Sequence, residues 1–410
     1  MTNDYKVALR RLLRQPWFAA AAIGTLALGI AAPTALFALV DAALLRPLPY
    51  PRYQDVYTVR TTMSDGRFTI GLVASEEMSA LRRATDGIAA SAYTQRLDAT
   101  ILTDAAPRQA MNIGVSEGFF ELFGLPMAAG RTFAAEDYAA AFGSRVILSQ
   151  HLWRAMFNAD PHIVGTTIRL GGSTPLVVGI APASFDVPRD ADLWFAQHTP
   201  DSVGHAFDGY VRFKPGVTPA AIQGPMPAMW DALAKKYPNF EKNRIFTMRL
   251  LLETIVGDLG PVLVMAFAAT GLLLVLAMVN VANLLVARNT ARRREIAVRA
   301  ALGATRFDLL RPLLAESSLI AIAATAVALP LTYAAVRAIV LIGGTALPRV
   351  DGMRLDPRVF LFSALVMIVA GLVIGLAPAS TLATANLTEL ANEGGRGSQH
   401  GRATRRMLGA

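Results

Sequence analysis

Four apolar windows restrict what this chain can fold into more than any other feature. A helix that crosses the hydrocarbon core of a membrane needs about 20 apolar residues. In lipid the backbone must also satisfy its own hydrogen bonds, and a helix does so. Windows of this kind lie at 15–40, 261–287, 312–336 and 359–378, and the single formal charge within them is Glu316. We therefore expect four membrane-spanning helices.

The long stretch between the first two windows predicts a folded domain with both helices and strands. Val56–Arg60 and Phe68–Val73 alternate and are rich in β-branched residues, as strands are, and Thr166–Ile180 has the glycine-centred pattern of a hairpin. One helix is predicted from Ser75, with two glutamates in its first turn, and another over Pro219–Tyr237, interrupted by internal prolines. The fold class is an α-helical membrane protein with four transmembrane helices and an α+β extracytoplasmic domain inserted between helices 1 and 2.

The distribution of arginines predicts the orientation. Membrane proteins concentrate Lys and Arg in cytoplasmic segments, and the N-terminus, residues 288–311 and the C-terminal tail are all basic. Four crossings bring these three segments to one side. We expect a multi-pass protein of the bacterial inner membrane, with a cytoplasmic N-terminus and a periplasmic large domain. The net charge of +9 then follows from topology, so nucleic acid is not an expected partner.

The start of the chain allows two interpretations. Basic residues before an apolar run are typical of a secretory signal, but the apolar part of a signal is about 7–15 residues long. The longer run here favours a retained helix, and at about 1.5 Å per residue its length exceeds a hydrocarbon core of roughly 30 Å, so we expect its end to form a stalk.

The expected boundaries follow from these windows and charges. They are a cytoplasmic N-terminus (1–14), transmembrane helix 1 with its stalk (15–45), the periplasmic core domain (46–257), transmembrane helix 2 (258–287), a cytoplasmic coupling segment (288–311), transmembrane helix 3 (312–342), a short periplasmic loop (343–357), transmembrane helix 4 (358–382) and a cytoplasmic basic tail (383–410).

Residues that would carry chemistry are sparse. The chain has no cysteine, and its histidines in the large domain lack the paired spacing of metal ligands, so we expect surface or packing histidines and no metal site. Gly124–Thr132 is similar to a phosphate loop, but it has one residue too many between its glycines and Arg131 in place of lysine. We interpret it as a turn and expect no catalytic residues.

The basic segment 288–311 has the pattern of two short helices. Gly303 suits the end of the first, and Thr305 with Asp308 resembles a capping box at the start of the second. One interpretation is a cytoplasmic loop whose arginines meet lipid headgroups. The other is a helix that docks into a protein groove, because apolar residues flank the Ala-Leu-Gly-Ala elbow.

Several runs resemble one family. The runs 115-VSEGFFELFGLPMAAGRTF-133, 146-VILSQHLWRAMFNADPHIVGTTIRLGGSTPLVVGIAPASFDVP-188 and 209-GYVRFKPGVTPAAI-222 resemble the periplasmic core domain of MacB-type ABC transporter permeases. The run 292-RRREIAVRAALGATRFDLL-310 resembles the cytoplasmic signature of FtsX-type permeases. The resemblance covers nearly the whole chain and is not specific for a substrate.

The resemblance implies a coupling helix that contacts a nucleotide-binding subunit. Because the chain contains no Walker motif, ATP would be bound and hydrolysed by a separate ABC ATPase, and the chain itself would need no cofactor. The residues implied in ATPase coupling are Arg292, Arg293, Glu295, Ile296, Val298, Arg299, Leu302, Gly303 and Phe307, with Arg306 also on the rim.

The expected partners also include a second permease. Gly371 and Gly375 form a G-x-x-x-G motif that predicts helix packing and is a candidate for dimerisation. Some permeases that this chain resembles join two such halves in one chain. The partner is therefore either a second copy, giving a homodimer, or a homologous half, in which case this chain is the front half of a duplicated permease.

Three functions follow from these patterns. The first is a permease that couples ATP hydrolysis to motion of the periplasmic domain, for export or extraction of a substrate. The second is a signal transmitter or scaffold that controls a periplasmic or outer-membrane partner without transport. A membrane enzyme is the weakest, because no catalytic constellation is visible.

Overall fold

The computed structural model of the 410-residue chain describes residues 2–63, 71–101, 108–170, 173–237, 244–290, 305–343, 349 and 353–384. The chain divides into two compact units, Met1–Arg46 with Asp258–Ala410, and Pro47–Gly257. We call the first the helical unit and the second the mixed unit, and each is described by itself.

The helical unit consists of one short helix and four long apolar helices. Numbered along the chain, its helices are α1 (Thr2–Leu13), α2 (Pro16–Val40, continued by a π-helical turn at Asp41–Leu45), α10 (Leu259–Thr290), α11 (Arg306–Gly343) and α12 (Pro357–Thr384). Four stretches are long and apolar enough to cross a membrane: Pro16–Leu45, Leu259–Arg288, Leu310–Gly343 and Pro357–Ala377. The four helices predicted from the sequence are confirmed.

Helix α2 is the central helix of this bundle. Its apolar span is 61% buried, whereas that of α10 is only 17% buried. Gly29 allows α2 to lie close to α10, because a Cβ at this position would be 2.7 Å from the Cβ of Ala277. Phe37 of α2 stacks on Phe362 of α12 at 4.3 Å between ring centroids. Side chains from all four long helices form the core: Leu26, Ile30, Met278, Val281, Ile320, Ala324, Ala370 and Ile374.

The last turns of α2 are enclosed by other parts of the bundle. Ala38, Leu39 and Ala43 are buried in a second cluster that includes Leu263 of α10 and Val336 of α11. The stalk expected from the length of this helix stays a prediction. The structure adds that this end of the helix is packed on several sides.

The mixed unit is built on one mixed sheet. Within the described residues its strands are β1 (Val56–Met63), β2 (Ile88–Ile101), β3 (Arg108–Val115), β4 (Ala129–Gly130), β5 (Arg145–Leu148), β6 (Leu176–Ile180), β7 (Leu193–Ala196), β8 (Asp208–Phe213) and β9 (Arg244–Leu250). Their order is β4-β6-β5-β7-β3-β2-β8-β1-β9. The pairs β3/β7 and β5/β6 are parallel, and the other pairs are antiparallel.

The first and last strands of this unit are neighbours. β1 pairs with β9 in antiparallel register, with Tyr57 opposite Leu250 and Met63 opposite Arg244. The chain enters the mixed unit shortly before β1 and leaves it shortly after β9. Both covalent connections therefore lead to adjacent strands, and any pull on them is applied along one edge of the sheet.

The sequence-based elements of this unit are largely confirmed. β1 contains the predicted strand 56–60, and α3 (Ser75–Ala84) begins at the predicted residue. Of the strand predicted at 68–73, residues 68–70 lie outside the described residues, and Val73 makes only an isolated bridge. The hairpin predicted at 166–180 has β6 as its second arm and isolated bridges on the first. The remaining helices are α4 (Phe119–Phe123), α5 (Ala135–Ala139), α6 (Gln150–Met156), α7 (Pro219–Gln223), α8 (Met226–Lys236) and α9 (Leu251–Val256), with α7 and α8 separated where the prolines predicted a break.

A buried acid holds three parts of the mixed unit together. Glu77 of α3 is fully buried; its Oε2 accepts a hydrogen bond from the hydroxyl of Thr61 and its Oε1 lies 3.0 Å from Nε2 of His205. Arg244 of β9 lies 3.2 Å from the same Oε1. Burial alone would raise the pKa of Glu77, but the hydrogen bonds from His205, the Ala74 amide and Thr61 outweigh it and hold the pKa below its ordinary value.

This cluster generates a stability prediction. Glu77→Gln removes the charge that Arg244 and His205 surround, so the mixed unit is expected to lose about 3 kcal/mol of unfolding free energy. Because the folded-state pKa is depressed, this contribution is complete above the ordinary carboxyl pKa of 4.5 and is lost as the pH falls through the lower folded value. Trp fluorescence of the full chain measures it, because Trp194 and Trp230 are buried in this unit.

The control for this experiment is Glu117→Gln, since Glu117 is exposed in the same unit. The account predicts almost no change for the control at any pH. Equal unfolding free energies for Glu77→Gln and the wild type at neutral pH would contradict it.

Candidate functional site at the ends of the helix bundle

Arg288 joins three helices at the end of the bundle where the chain begins. Its guanidinium forms an ion pair with Glu316 of α11, and both side chains are nearly buried. Its Nη2 donates to the carbonyl of Arg11 in α1 at 3.3 Å, and its Cζ lies 4.6 Å from the ring centroid of Phe18 in α2. We call this arrangement the arginine clamp.

The predicted coupling segment follows the clamp directly. Helix α10 ends at Thr290 and α11 begins at Arg306. Most of the predicted coupling residues lie between these ends, outside the described residues, and stay a prediction: Arg292, Arg293, Glu295, Ile296, Val298, Arg299, Leu302 and Gly303.

The start of α11 is described and has the predicted cap. The amide of Thr305 donates to Oδ2 of Asp308 at 3.1 Å, and the amide of Asp308 donates back to the Thr305 hydroxyl at 3.3 Å. The hydrogen bond from the Thr305 hydroxyl lowers the pKa of Asp308. Phe307 follows the cap and is 60% exposed, with the guanidinium of Arg311 5.4 Å from its ring centroid. A large aromatic surface is thus available at this end of the bundle.

The opposite end of the bundle carries a second charged cluster. Asp41 is only 1% exposed and is the first residue of the π-helical turn after α2. Its carboxylate accepts a hydrogen bond from Nε of Arg46 at 2.8 Å. Arg46 also contacts Asp356 at 2.7 Å, and Arg358 contacts Asp41 at 3.3 Å. Arg349 donates to the carbonyl of Arg46 at 2.8 Å. This domain-end cluster ties the residues just before the mixed unit to the start of α12.

The sequence did not predict the domain-end cluster. Asp356 lies in the 343–357 loop, and its partner Arg46 lies 310 residues away in the chain. The signal that could have found it is an acid directly after an uncharged apolar window. Such an acid needs a counter-charge if it is buried.

The two predicted packing glycines lie against α11 of the same chain. A Cβ at Gly375 would be 2.5 Å from Oγ of Ser317 and 2.8 Å from Leu314, and one at Gly371 would be 3.5 Å from Ala321. The close helix approach that the motif predicted therefore occurs within the chain. A dimer contact through the same face would have to displace α11, so this motif is not available for dimerisation.

The histidines and the Gly124–Thr132 stretch of the mixed unit are among the described residues. His151, His162 and His198 are exposed, and His205 belongs to the Glu77 cluster. No group of three or more potential metal ligands occurs among the described residues. The Gly124–Thr132 stretch is a helix end followed by the short strand β4, and Arg131 pairs with buried Asp137 instead of facing a phosphate site.

One polar recess lies beside α3 in the mixed unit. It has a volume of about 210 Å³ and is lined by charged groups of both signs, including Arg82, Glu117 and Asp201. Several hydroxyl groups line it, and that of Ser79 donates a hydrogen bond to Asp201 at 3.3 Å. His198 also lines the recess, so it is a polar and charged surface.

Taken together, these features define the class: a membrane protein whose four spanning helices carry an inserted α+β domain. A family model described as a MacB-like periplasmic core domain matches residues 19–228, which is just over half of the chain. A second, described as FtsX-like permease C-terminal, matches residues 267–387. The chain belongs to the MacB/FtsX-type permease family.

Curated relatives agree with this assignment. The macrolide export ATP-binding/permease protein MacB of Agrobacterium fabrum is 28% identical over 229 residues, covering 54% of this chain and 34% of the relative. MacB 1 of Yersinia pestis bv. Antiqua is 26% identical over 282 residues, covering 67% of this chain and 42% of the relative. MacB of Escherichia coli K12 is 24% identical over 279 residues, covering 66% of this chain and 41% of the relative. The chain spans less than half the length of these relatives.

Two solved structures are similar to the mixed part of the chain. The periplasmic region of MacB from Actinobacillus actinomycetemcomitans has a TM-score of 0.36 at 14% identity, covering 49% of this chain and 90% of that structure. The extracellular domain of the ABC-type transporter YknZ from Gram-positive bacteria also has a TM-score of 0.36 at 14% identity. It covers 47% of this chain and 99% of that structure. At these scores the family assignment rests on the family models alone.

The arginine clamp generates a prediction about buried charge. Glu316→Leu leaves the guanidinium of Arg288 without its carboxylate in an almost water-free site, so the helical unit is expected to lose about 3 kcal/mol of stability. The double variant Arg288→Leu/Glu316→Leu removes both charges and is expected to recover most of that loss. Thermal unfolding of the detergent-solubilised chain, followed by helical circular dichroism, measures both. A single variant as stable as the wild type would contradict the clamp.

Proposed function

We propose that the chain is the permease subunit of an ABC transporter, in which a separate ATPase subunit binds and hydrolyses ATP. The motion would be passed to the inserted domain, so that a substrate is exported or extracted at the far face of the membrane. The observation that carries this proposal is the arginine clamp. It fixes α10 to α11 directly beside the basic segment 288–311, so that a partner pulling on this segment moves both helices together.

The proposed orientation follows from the same end of the bundle. Arg10, Arg11 and Arg14 lie at the start of the bundle, and Arg288 and Arg311 flank the basic segment. Positive side chains favour the cytoplasmic side of a bacterial inner membrane. The mixed unit, attached at the opposite end of α2 and α10, is then periplasmic.

The proposed ATPase contact is apolar at its centre and basic at its rim. Phe307 supplies an exposed aromatic surface beside Arg311. In the proposed contact Ile296, Val298 and Leu302 add apolar area, and the arginines pair with acidic groups of the ATPase. An aromatic residue surrounded by arginines is the composition that concentrates binding energy in protein interfaces.

The helical unit favours a mechanism in which its helices move, and not one in which a substrate passes along a water-filled path. The nearly buried ionisable groups of the described bundle, Asp41, Arg288 and Glu316, lie at its two ends. Between them the buried side chains are apolar or carry only a hydroxyl group, as Thr34, Thr325, Thr332 and Ser363 do. We would expect a water-filled path through one subunit to carry ionisable groups along that length. A shift of α10 and α2 would instead act on the mixed unit through the adjacent strands β1 and β9.

A second function uses the same coupling without transport. In it, ATP turnover moves the mixed unit to control a periplasmic or outer-membrane partner. The observation that favours it is the polar recess beside α3, which is lined mainly by polar side chains and by charged groups of both signs. ATP turnover that activates such a partner, while every candidate substrate stays in place, would select this function over export.

The docking surface can be tested with one substitution. Phe307→Asp places a charge in the centre of the proposed contact, and losing a buried aromatic side chain is expected to weaken ATPase binding by at least about tenfold. The tagged chain is co-expressed with P-loop ATPases from the same genome, beginning with those of neighbouring reading frames. Co-purification without nucleotide is then quantified, and Leu302→Asp is tested in parallel.

The matched control is Phe142→Asp. Phe142 is a phenylalanine with the same 60% exposure as Phe307, but it lies in the mixed unit. It is expected to leave ATPase binding unchanged. Undiminished co-purification of Phe307→Asp and Leu302→Asp would remove the coupling segment from the interface.

A further inference from the structure

The polar recess beside α3 is lined almost entirely by groups that form hydrogen bonds. Among the described residues that line it, Met78 alone has an apolar side chain, and six others are serine, threonine or tyrosine. A hydroxyl group both donates and accepts hydrogen bonds. The lining therefore matches a ligand that itself carries many hydroxyl groups, whereas an apolar ligand would leave several of these groups unpaired.

One wall of the recess lies where β2 and β3 pair, and internal hydrogen bonds hold it in place. The hydroxyl of Ser116 accepts a hydrogen bond from the amide of Tyr93 at 2.9 Å, and the hydroxyl of Tyr138 donates to the carbonyl of Ser116 at 3.2 Å. A Cβ at Gly114 would overlap Oε1 of Gln197, so glycine leaves room for this amide at the recess. A wall that is fixed before the ligand arrives loses little conformational entropy on binding.

The loop after β7 forms another wall and is fastened to the start of α3. The hydroxyl of Ser75 donates to the carbonyl of Pro200 at 3.0 Å and accepts a hydrogen bond from the amide of Ser202 at 3.0 Å. One turn further along α3, the hydroxyl of Ser79 donates to Asp201 at 3.3 Å. This wall, too, is formed without a ligand.

Charged groups of both signs at the recess have no partner in the described chain. The side chains of Arg82, Glu117 and His198 are exposed and form no hydrogen bond or ion pair with any described residue. Arg82 and Glu117 therefore do not neutralise each other across the recess. Their polar atoms are available to a ligand that occupies it.

Charge and size restrict this ligand further. Glu117 and Asp201 outnumber Arg82 in the lining, so the recess disfavours an anion. Its volume of about 210 Å³ lies below the roughly 300–1,000 Å³ of sites for drug-sized ligands. Although His198 lies at the same recess, no group of three potential metal ligands occurs among the described residues. A small ligand with many hydroxyl groups and no negative charge fits these limits, and a sugar has that chemistry.

We propose that the polar recess binds one sugar unit that carries no negative charge, and that it prefers an amino sugar to a neutral one. Glu117 and Asp201 accept hydrogen bonds from the sugar hydroxyls and attract an ammonium group, and Arg82 donates to neighbouring hydroxyls. The proposal goes beyond the proposed function and does not rest on it, because the recess binds its ligand whether or not the chain transports a substrate.

Saturation-transfer NMR of the full chain in lipid nanodiscs tests this site, since many detergents carry sugar headgroups that would compete. Glucosamine, glucose and glucuronate are compared at neutral pH. For ligands of this size we expect dissociation constants on the order of millimolar. Glucosamine is expected to bind roughly threefold more tightly than glucose, and glucuronate more weakly than glucose, because exposed charges contribute modestly and with opposite signs.

Two substitutions remove unpaired groups of the recess without breaking an internal contact. Arg82→Ala is expected to weaken binding of all three sugars by at least about fivefold, and Glu117→Gln to reduce the preference for glucosamine. The matched control is Arg154→Ala on α6, because Arg154 is also exposed and has no ion pair within the described residues, but does not line the recess. It is expected to leave binding unchanged, and Trp fluorescence checks that each variant is folded.

Three results overturn the proposal: no saturation transfer from any of the sugars, equal binding to the wild type and Arg82→Ala, or tighter binding of glucuronate than of glucosamine. Methyl glucoside separates two sources of the sugar. Binding equal to that of glucose indicates a unit of a longer glycan, and lost binding indicates a free monosaccharide. ATPase co-purification is expected to be the same for Arg82→Ala and the wild type, so failure of the sugar site is distinguishable from failure of ATPase coupling.

Discussion

A charged side chain among apolar helices is stable only when an opposite charge lies against it, because lipid and the packed interior supply almost no solvation. This constraint organises the helical unit. Asp41 and the Arg288–Glu316 pair lie at the two ends of the bundle, and each has its counter-charge within contact distance. Arg358 and Glu316 lie on different helices from the charges they pair with, whereas Arg46 directly follows the turn that Asp41 begins. The same contacts that solvate these charges therefore fix how the helices meet.

The charged clusters at the two ends of the bundle hold its helices together. At one end, the arginine clamp fixes α10 to α11 where the basic segment begins. At the other end, Arg46 links the turn after α2 to Asp356 just before α12. Between them, Gly29 and Gly375 allow backbone contacts too close for a side chain. A bundle that is held at both ends and tightly packed between them moves as a unit, as the proposed transmission of force to the mixed unit requires.

The sequence predicted the local features well because they depend on short-range chemistry. Long uncharged windows predicted four helices, prolines predicted the break between α7 and α8, and Thr305 with Asp308 predicted the start of α11. Contacts between residues far apart in the chain could not be predicted from the sequence. Asp41 meets Arg358 across more than 300 residues, and nothing in either local sequence identifies the other. Gly371 and Gly375 lie against α11, and a G-x-x-x-G motif does not specify whether the helix it contacts is in the same chain.

In the mixed unit, too, contacts between distant residues could not be predicted from the sequence. A helix with acids in its first turn was predictable at Ser75, yet the role of Glu77 depends on Thr61, His205 and Arg244, which only the sheet brings together. The nine-strand order of the described residues, with β1 between β8 and β9, likewise follows from pairing between distant segments. This order is what brings the two connections of the unit onto neighbouring strands.

In the proposed topology, four crossings place the arginine clamp and the mixed unit on opposite sides of the membrane. Phe142 and Phe307 are equally exposed, at 60% each, so a single cysteine at either position reports the side on which it lies. In spheroplasts treated with a membrane-impermeant maleimide, we expect the cysteine at 142 to react at once. The cysteine at 307 should react only after the membrane is permeabilised. Labelling at 307 in intact spheroplasts, or protection at 142, would contradict the account.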